Sequence, residues 1–468
     1  MTTRYDAIVI GSGQAGPFLA ARLAGAGMQI ALVEREHLGG TCVNDGCIPT
    51  KTLLASARAA FVARQAAAFG VHIDGPVRVD MAAVKARKDR IVAQSVENLT
   101  KWLHGIDRLQ LIHGHARFVG PNTIELGGTN GTQRLEAPRI FINVGGRALL
   151  PDWPGIADVP VLTNTSMMAV DRLPEHLIVV GASYVGLEFA QMYRRFGSRV
   201  TVVDVAERAI AREDADVSRE VQAILEREGI QFHLALQCAK VAATHGGTRI
   251  RLALNAGGAA HEIEGSHLLA AIGRRPNTDD LGLARAGIAT DARGFIRVDE
   301  QLRTNVPGVW ALGDVNGRGA FTHTAYHDHQ IVAANLLEGG QRRVSERVPA
   351  YALFTDPPLG RVGLTETEAR ASGRRVRSAL LPMSRVGRAR ERGETQGFMK
   401  IVVDADSEHI LGAALLGIEG DEVVHSLLAA MAAGVSYKLI QQTVPIHPTV
   451  SELIPTLLAN LSDPPRVS

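Results

Sequence analysis

The sequence has few cysteines, few aromatic residues and no strong excess of charge. Three cysteines in 468 residues exclude a disulfide-stapled scaffold and a multi-cysteine zinc or iron–sulfur protein. Lys plus Arg number 50 and Asp plus Glu number 48, and a net charge of +2 argues against nucleic acid or an anionic membrane as the main partner. No apolar run reaches the ~18 residues that cross a bilayer, and we expect no signal peptide because the first residues lack a long apolar stretch and a small-residue cleavage site. We therefore expect a cytoplasmic protein, in which a close cysteine pair is redox-active.

Glycine is abundant instead, with 48 residues, well above the usual ~7% of a chain. Residues 5–34 and 177–204 both read as strand, glycine-rich turn, Ala-rich or amphipathic helix and strand. After about residue 346 the pattern changes to strands of an antiparallel sheet, followed by helices predicted at 422–434 and 451–461. The predicted fold is therefore α/β, with two Rossmann-like dinucleotide-binding domains and a C-terminal α+β domain.

The first glycine-rich turn is GSGQAG, from Gly11 to Gly16. Gly11 permits the tight turn, Gly13 lets the backbone approach a pyrophosphate, and Gly16 lets helix and strand pack closely. Glu34 ends the next strand 34 − 16 = 18 residues later, where an acid binds ribose hydroxyls. Together these features predict a dinucleotide site rather than a simple strand–helix turn.

The second turn is GASYVG, from Gly181 to Gly186, with Ser183 in place of the middle glycine. Asp204 ends the following strand 204 − 186 = 18 residues later, the same interval as in the first unit. An acid there accepts from a ribose diol and repels a 2′-phosphate, so this site favours NADH over NADPH.

Cys42 and Cys47 lie in the segment GGTCVNDGCIPTK. Five residues of regular helix would rise ~7.5 Å, which exceeds the ~7 Å Cα separation that a disulfide allows. The helix must therefore be distorted between them, and Gly46 and Pro49 provide the means. The helix dipole also stabilises the thiolate form of a cysteine that lies near the start of a helix. The pair follows a dinucleotide-binding unit directly, so we predict a redox disulfide beside a flavin.

Seven motifs in order give the chain a resemblance to a known family: GSGQAG, GGTCVNDGCIPTK, GASYVGLEFA, GRRPNT, VWALGDV, FTDPPLGRVGLTE and HPTVSE. The chain resembles the class I pyridine nucleotide–disulfide oxidoreductases, which include dihydrolipoamide dehydrogenase, glutathione reductase and mercuric reductase. The resemblance implies a homodimer with three domains. They are an FAD-binding domain at 1–148 and 272–345, an NAD(P)-binding domain at 149–271 and a dimerisation domain at 346–468.

The resemblance also implies roles for individual residues. Cys42 matches the thiol that meets the disulfide substrate, and Cys47 matches the thiol that faces the flavin. Lys51 matches the lysine near flavin N5, and Glu188 matches the acid that pairs with this lysine. Tyr184 matches the aromatic gate over the nicotinamide.

Near the carboxyl terminus, His447 matches the imidazole that reaches the partner subunit's cysteines, takes the proton of an incoming dithiol or protonates a leaving thiol. Glu452 matches the acid that orients this ring. Asp314 matches the acid that holds the ribityl chain. We predict no metal site, although His323, His327 and His329 cluster, and we predict that Cys238 is a core residue.

The predicted cofactor-binding residues come from many segments. Those expected at FAD are Gly11, Ser12, Gly13, Gly16, Glu34, Gly40, Thr41, Lys51, His115, Ala116, Gly145, Gly313, Asp314, Phe321 and Thr322. Those expected at NAD(P) are Gly181, Ser183, Tyr184, Val185, Glu188, Asp204, Gly273 and Arg274.

The implied function is transfer of electrons from NAD(P)H through FAD to the Cys42–Cys47 disulfide, and then to a small disulfide or thiol-reactive acceptor. Three alternatives stay open: a dihydrolipoamide dehydrogenase, which runs the path backwards; a reductase of Hg(II), Cu(II) or quinones; and a non-enzymatic redox sensor. The sequence ends without the cysteine pair that collects Hg(II) in mercuric reductases, so we do not expect efficient mercury reduction.

Overall fold

A computed structural model describes residues 2–127, 132–256 and 259–462 of the chain. Residues 1, 128–131, 257–258 and 463–468, which belong to the predicted domains, lie outside the described residues. Within the described ranges, no helix is both long enough and apolar enough to cross a membrane.

The first dinucleotide-binding unit is built on a five-stranded parallel sheet. Its strands, in spatial order, are Val309–Ala311, Ile140–Ile142, Ala7–Ile10, Ile30–Glu34 and Leu109–His113. The central strand Ala7–Ile10 is buried along its whole length, as expected for a parallel sheet covered on both faces. Three separated stretches of sequence therefore share one sheet.

The second unit is another five-stranded parallel sheet, formed by a single stretch of the chain. Its spatial order is Val161–Leu162, His267–Ala270, His176–Val180, Arg199–Val203 and Gln231–His233. In both units the glycine-rich turn follows the buried central strand and opens a helix, which directs both turns to the carboxyl edge of the sheet, where ligands bind.

The C-terminal domain contains a five-stranded antiparallel sheet. Its spatial order is Ala350–Leu353, Leu359–Gly363, Ile410–Leu416, Phe398–Asp404 and Val376–Pro382. The two strands Phe398–Asp404 and Ile410–Leu416 are buried at every residue, so this sheet is the core of the domain.

Other strands form three smaller sheets. They are Thr2–Arg4, Gln133–Glu136, Thr123–Gly127 and His115–Gly120; Gln237–Thr244, Arg249–Ala256 and Ala259–Gly265; and Arg274–Pro276 with Gly146–Ala148. The α-helices are Gly16–Gly25, Gly40–Asn44, Cys47–Gln65, Met81–His104, Asn164–Met167, Tyr184–Phe196, Ala215–Arg227, Thr322–Leu337, Glu366–Ala371, Gly387–Glu391, Gly420–Ala432, Tyr437–Gln441 and Ile454–Ala459. The 3-10 helices are Ala66–Phe69, Ile156–Asp158, His245–Gly247, Leu283–Ala286, Gly313–Asn316, Val344–Glu346, Met383–Arg385 and Ser451–Leu453.

These elements confirm the predicted fold class, but two local expectations need correction. The helix predicted at 451–461 begins as the 3-10 turn Ser451–Leu453 and is α-helical only over Ile454–Ala459. Pro455 accounts for this start, because proline fits the first helical turn but not a helix interior. The helix predicted at 422–434 ends at Ala432, since Gly434 has a φ of +62°.

Candidate active site

The two cysteines lie on two different helices with a break between them. Cys42 is in Gly40–Asn44, and Cys47 is the first residue of Cys47–Gln65. The break is at Gly46, whose φ of −127° and ψ of −114° are not helical. A Cβ on Gly46 would be 2.8 Å from the Thr41 carbonyl oxygen, so a larger residue would not fit. The predicted distortion is therefore present at the predicted glycine.

The Cys47 sulfur is surrounded by groups that favour its thiolate. Hydrogen bonding from the Cys42 thiol lowers the pKa of Cys47 to about 6, with further contributions from the Thr322 hydroxyl and the Lys51 charge. The Cys47 Sγ to Thr322 Oγ1 distance is 3.0 Å. The same hydrogen bond, together with burial, raises the pKa of Cys42. The dithiol therefore has one thiolate, at Cys47, and one proton, at Cys42.

We expect the reduced protein to contain a thiol that titrates at a pKa of about 6. The thiolate persists above that pH and is lost as the pH falls through it. The ultraviolet absorbance of the thiolate, followed against pH in a Cys238→Ser background, measures this step. Cys47→Ser should abolish it. A single step near the ordinary value of 9.0 in the parent would contradict the assignment.

Lys51 is held in place one turn after Cys47. Its Nζ lies 2.8 Å from Glu188 Oε2 and 4.4 Å from the centre of the Phe354 ring. Glu188 is largely buried, and its Oε1 accepts the Phe354 backbone N–H at 3.0 Å. A part-buried ion pair with a second hydrogen bond on the carboxylate keeps the ammonium group at one position.

The first glycine-rich turn forms a cradle that side chains would fill. Gly11 has a φ of +97°, and a Cβ there would lie 2.4 Å from the Asn143 carbonyl oxygen. A Cβ on Gly16 would lie 2.2 Å from the Gly11 carbonyl oxygen. Beside this turn, Glu34 Oε2 accepts the backbone N–H of Ser12 at 2.9 Å and its hydroxyl at 2.6 Å. The carboxylate is thus fixed at the end of its strand.

A cavity of about 780 Å³ joins the first glycine-rich turn to the cysteine pair. Its wall includes these residues predicted for FAD: Gly11, Ser12, Gly13, Glu34, Gly40, Thr41, Lys51, His115, Ala116, Gly145, Gly313, Asp314, Phe321 and Thr322. Gly16 is absent from the wall because it packs against Gly11. Cofactor pockets range over ~300–1,000 Å³. The cavity size, the open glycine cradle and the acid at its far end fit FAD.

Asp314 and Arg274 lie together on this wall. Their side chains are 3.8 Å apart, and Arg274 also donates to Thr41 Oγ1 at 3.4 Å and to the Gly146 carbonyl oxygen. Burial raises the pKa of Asp314. The sequence predicts that Arg274 contacts NAD(P), whereas the structure places it beside Asp314 and Thr41, two residues predicted for FAD.

The second glycine-rich turn repeats the geometry of the first. Gly181 has a φ of +113°, and a Cβ there would lie 2.3 Å from the Ala271 carbonyl oxygen. Asp204 Oδ2 accepts the Ala182 N–H at 2.5 Å, and its Oδ1 accepts the Ala206 N–H at 2.8 Å. Asp204 therefore occupies the position that Glu34 has in the first unit.

The residues predicted for NAD(P) divide into two groups. Tyr184, Val185, Glu188 and Arg274 line the cavity, and of these Glu188 contacts Lys51. Gly181, Ser183, Asp204 and Gly273 are not on its wall. The helix Tyr184–Phe196 connects the groups, because it begins at the second glycine-rich turn and carries Glu188 one turn later.

His447 and Glu452 form a pair away from the cavity of their own chain. His447 Nδ1 lies 2.8 Å from Glu452 Oε2, while 80% of the His447 side chain is exposed. The nearby apolar residues Val444 and Ile446 are 95% and 80% exposed. Arg388 supports the segment by donating to the Pro448 carbonyl oxygen at 2.7 Å. An oriented imidazole on an exposed apolar segment is suited to a surface that meets another subunit.

The histidine cluster has separate partners. His323 Nε2 lies 2.7 Å from the Ala350 carbonyl oxygen, and Arg347 donates to His327 Nδ1 at 3.1 Å. His329 stacks in the core. Across the part of the chain that the structure describes, no group of three or more His, Cys, Asp or Glu residues has the geometry to hold a metal ion. Cys238 is buried in the strand Gln237–Thr244, as predicted.

Sequence reasoning missed several residues of the site. The Asn143 carboxamide accepts the Gly16 N–H at 2.9 Å and donates to the Leu312 carbonyl oxygen at 2.9 Å, fixing the cradle. Phe354, Tyr351 and Glu213 were also missed. Only Phe354 had a local signal, since it opens FTDPPLGRVGLTE, a motif used for the resemblance.

A dithiol at the wall of a nucleotide-sized cavity, in a chain with two dinucleotide-binding sheets, is the arrangement of an oxidoreductase that moves electrons between nucleotides and sulfur. Comparisons with known proteins agree. Residues 5–328 match the family model described as pyridine nucleotide-disulphide oxidoreductase, and residues 349–458 match the dimerisation domain of that family. The chain belongs to the pyridine nucleotide–disulphide oxidoreductase family, which confirms the resemblance that the motifs predicted.

Two similar proteins and one solved structure match over at least 95% of their length. The probable pyridine nucleotide-disulfide oxidoreductase RclA of Escherichia coli (strain K12) is 34% identical, over 97% of this chain and 99% of that protein. A mercuric reductase of Streptomyces lividans is 35% identical, over 97% of this chain and 95% of that protein. The solved structure of the Cu(II) complex of "HOCl-induced flavoprotein disulfide reductase RclA" from Escherichia coli has a TM-score of 0.89 and 33% identity, covering 98% of this chain and 99% of that one.

The family fixes the general chemistry. The chain is an FAD-dependent oxidoreductase that uses a pyridine nucleotide and acts through a redox-active disulfide. Its C-terminal dimerisation domain supports a homodimer.

Proposed function

We propose that the chain passes electrons from NADH to the Cys42–Cys47 disulfide and then to a small disulfide or thiol-reactive acceptor. The observation that carries this proposal is the position of the Cys47 sulfur, 3.0 Å from Thr322 Oγ1 and at the wall of the glycine-lined cavity, where the pKa of Cys47 is lowered. When bound there, FAD supplies the two-electron relay between the nicotinamide and the disulfide. We also propose the domain limits given above: 1–148 with 272–345, 149–271 and 346–468.

The two cysteines have different roles in reducing the acceptor. Cys42 loses its proton and attacks one sulfur of the acceptor, breaking the acceptor's S–S bond and forming a mixed disulfide. Cys47 then attacks the Cys42 sulfur, which re-forms the Cys42–Cys47 disulfide and releases the second thiol. The net reaction consumes NADH, one proton and one disulfide, and yields NAD⁺ and two thiols.

The chain provides side chains that transfer protons and stabilise charge during these reaction steps. Because the pKa of Cys42 is raised, its attack needs a base. We assign that base to His447 of the partner subunit, oriented by its own Glu452, and the ring then gives the proton to the leaving thiol. Lys51, paired with Glu188, stabilises negative charge at the edge of the bound cofactor. The 80% exposure of His447 in a single chain supports its use by the partner subunit.

The acceptor is proposed by analogy with similar proteins. The matched Escherichia coli protein is described as a flavoprotein disulfide reductase, and other relatives are named mercuric reductase or dihydrolipoyl dehydrogenase. Steady-state oxidation of NADH against lipoamide, glutathione disulfide, Hg(II), Cu(II), quinones and oxidised chlorine or thiocyanate species tests this. We expect a small disulfide or oxidised thiol adduct to give the highest kcat/KM. Turnover with quinones alone, insensitive to substitution of the cysteines, would contradict the proposal.

We propose that NADH is preferred over NADPH. Asp204 is fixed by two backbone N–H groups, and the next residue, Val205, is 70% exposed and uncharged. Arg208 donates to the Ala211 carbonyl oxygen at 3.1 Å, so its guanidinium group is already engaged with its own loop. An acid that is followed by an uncharged residue, with Arg208 engaged in its own loop, favours a ribose diol over a 2′-phosphate.

We expect Val205→Arg to raise kcat/KM for NADPH by about 10-fold or more, because one charge-assisted hydrogen bond is worth ~1.5–3 kcal/mol. The value for NADH should change little. Initial rates with both nucleotides and a fixed disulfide measure the ratio, and Val205→Gln is the uncharged control. A parent enzyme with the higher kcat/KM for NADPH would contradict the proposed preference.

A further inference from the structure

A buried carboxylate holds two tyrosine hydroxyls near the proposed nicotinamide site. Glu213 Oε1 accepts from the Tyr184 hydroxyl at 3.0 Å and from the Tyr351 hydroxyl at 2.8 Å. Glu213 Oε2 pairs with the Arg361 guanidinium at 2.8 Å. The side chains of Glu213 and Arg361 are 0% and 1% exposed. Neither tyrosine hydroxyl can leave without removing a hydrogen bond from a fully buried carboxylate.

The cluster joins two domains. Tyr184 begins the helix after the second glycine-rich turn, and Glu213 precedes the helix Ala215–Arg227. Tyr351 and Arg361 face each other across two paired strands of the C-terminal antiparallel sheet. The C-terminal sheet therefore contributes two of the side chains that contact the Glu213 carboxylate, those of Tyr351 and Arg361.

The neighbouring residue fixes the same segment to the same sheet. Asp214 accepts the backbone N–H of Glu366 at 2.9 Å and that of Thr367 at 3.0 Å, and it lies 3.3 Å from Lys400 Nζ. Lys400 and Asp214 are both buried. Because residues 213 and 214 are both fixed, the carboxylate of Glu213 is a rigid acceptor rather than a flexible one.

The two tyrosine rings connect the Glu213 cluster to the wall of the cavity. The Tyr184 and Tyr351 rings meet edge to face, with centroids 5.5 Å apart. The Tyr351 ring stacks on Phe321 at 5.4 Å, with an angle of 7° between the planes. Tyr184, Tyr351 and Phe321 all line the cavity, together with Lys51 and Glu188. The three rings form one continuous aromatic wall.

We propose that Tyr351 and Arg361 of the C-terminal domain are positioning residues for the nucleotide, and that they act through Glu213 to hold Tyr184 in place at the wall of the nicotinamide pocket. The inference rests on the proposed function and on the role that the resemblance implies for Tyr184, the aromatic gate over the nicotinamide; Tyr184, Lys51 and Glu188 line the same cavity. Because this wall is already fixed before the nucleotide binds, binding does not include the entropy cost of ordering the wall side chains. Loosening the wall should weaken nucleotide binding more than it slows chemistry.

The test is Tyr351→Phe, which removes one hydroxyl and keeps the ring stacked on Phe321. Isothermal titration of the purified holoenzyme with NAD⁺ measures binding without turnover. We expect the dissociation constant to rise about 3- to 10-fold, the range for one side chain that must be ordered on binding. KM for NADH should rise by a similar factor while kcat stays within about 2-fold, the pattern of lost uniform binding.

Tyr193→Phe is the matched control. Tyr193 is a buried tyrosine on the helix that Tyr184 begins, and it packs against Phe189 and Phe196. We expect the control to bind NAD⁺ like the parent. An unchanged dissociation constant in Tyr351→Phe, or an equal rise in Tyr193→Phe, would overturn the inference.

A second substitution tests whether the effect on NAD⁺ binding is transmitted through Glu213 or comes from a general loss of structure. Arg361→Lys retains a charge near Glu213 but loses the planar guanidinium group, so it should weaken NAD⁺ binding in the same direction as Tyr351→Phe. The combined variant should lose less NAD⁺ binding free energy than the sum of the two single losses, since both substitutions act through one carboxylate. A fully additive pair would overturn the shared route. A parent protein that does not bind NAD⁺ would instead refute the proposed function, so the two failures are distinguishable.

Discussion

Cys42→Ser should abolish NADH-driven disulfide reduction, with a fall in kcat of roughly 10³-fold or more, because the hydroxyl cannot replace the thiolate as a nucleophile. Bound FAD and the cavity should be retained, since serine is close to cysteine in size. Initial rates with a small disulfide measure the loss. Residual turnover of a quinone would be compatible, because a quinone accepts electrons without a thiol.

Cys238→Ser is the matched control for that substitution. Cys238 is a buried cysteine of the second dinucleotide-binding unit and is not on the cavity wall. The control should retain disulfide turnover, although its stability can fall. Undiminished disulfide turnover in Cys42→Ser would refute the assignment of Cys42.

His447→Ala should lower disulfide turnover by about 10²- to 10⁴-fold, the usual contribution of general acid–base catalysis. Anaerobic stopped-flow reduction of the bound flavin by NADH should be unchanged, because the proposed role of His447 is to move the Cys42 proton, which follows flavin reduction. His104→Ala, at the end of the helix Met81–His104, is the control for a surface histidine. Equal slowing of flavin reduction would contradict the role given to His447.

Mixed dimers test whether His447 serves the partner subunit. A dimer of one Cys42→Ser chain and one His447→Ala chain contains one site with both intact groups only if the groups come from different subunits. We expect such mixed dimers to recover about half of the parent turnover per dimer. No recovery, with both chains folded and flavin-loaded, would assign His447 to its own subunit.

The local features of the two nucleotide units could be predicted from the sequence. The glycine turns and the acids Glu34 and Asp204 lie within one βαβ unit each, so their spacing is set by the geometry of the unit. The break at Gly46 followed from the length of five helical residues set against the reach of a disulfide. These predictions depended on residues that are close in sequence.

The contacts between distant segments could not be predicted in this way. Glu213 is 138 residues from Tyr351, and Asn143 is 127 residues from Gly16. A lone glutamate or asparagine carries no local signal of such a partner. The hairpins of the sheet Gln237–Thr244, Arg249–Ala256 and Ala259–Gly265 were also missed. From the sequence alone an arginine such as Arg361 is expected to be exposed to solvent, and only the fold reveals that it is buried against Glu213.

Differential alkylation tests the central claim most directly. Purified protein is blocked with one maleimide, reduced anaerobically with NADH, blocked with a second maleimide of different mass and digested for mass spectrometry. We predict yellow protein in which Cys42 and Cys47 carry only the second label, and carry it only after NADH is added. A colourless preparation, or NADH treatment that exposes no new thiol at these two cysteines, would contradict the account.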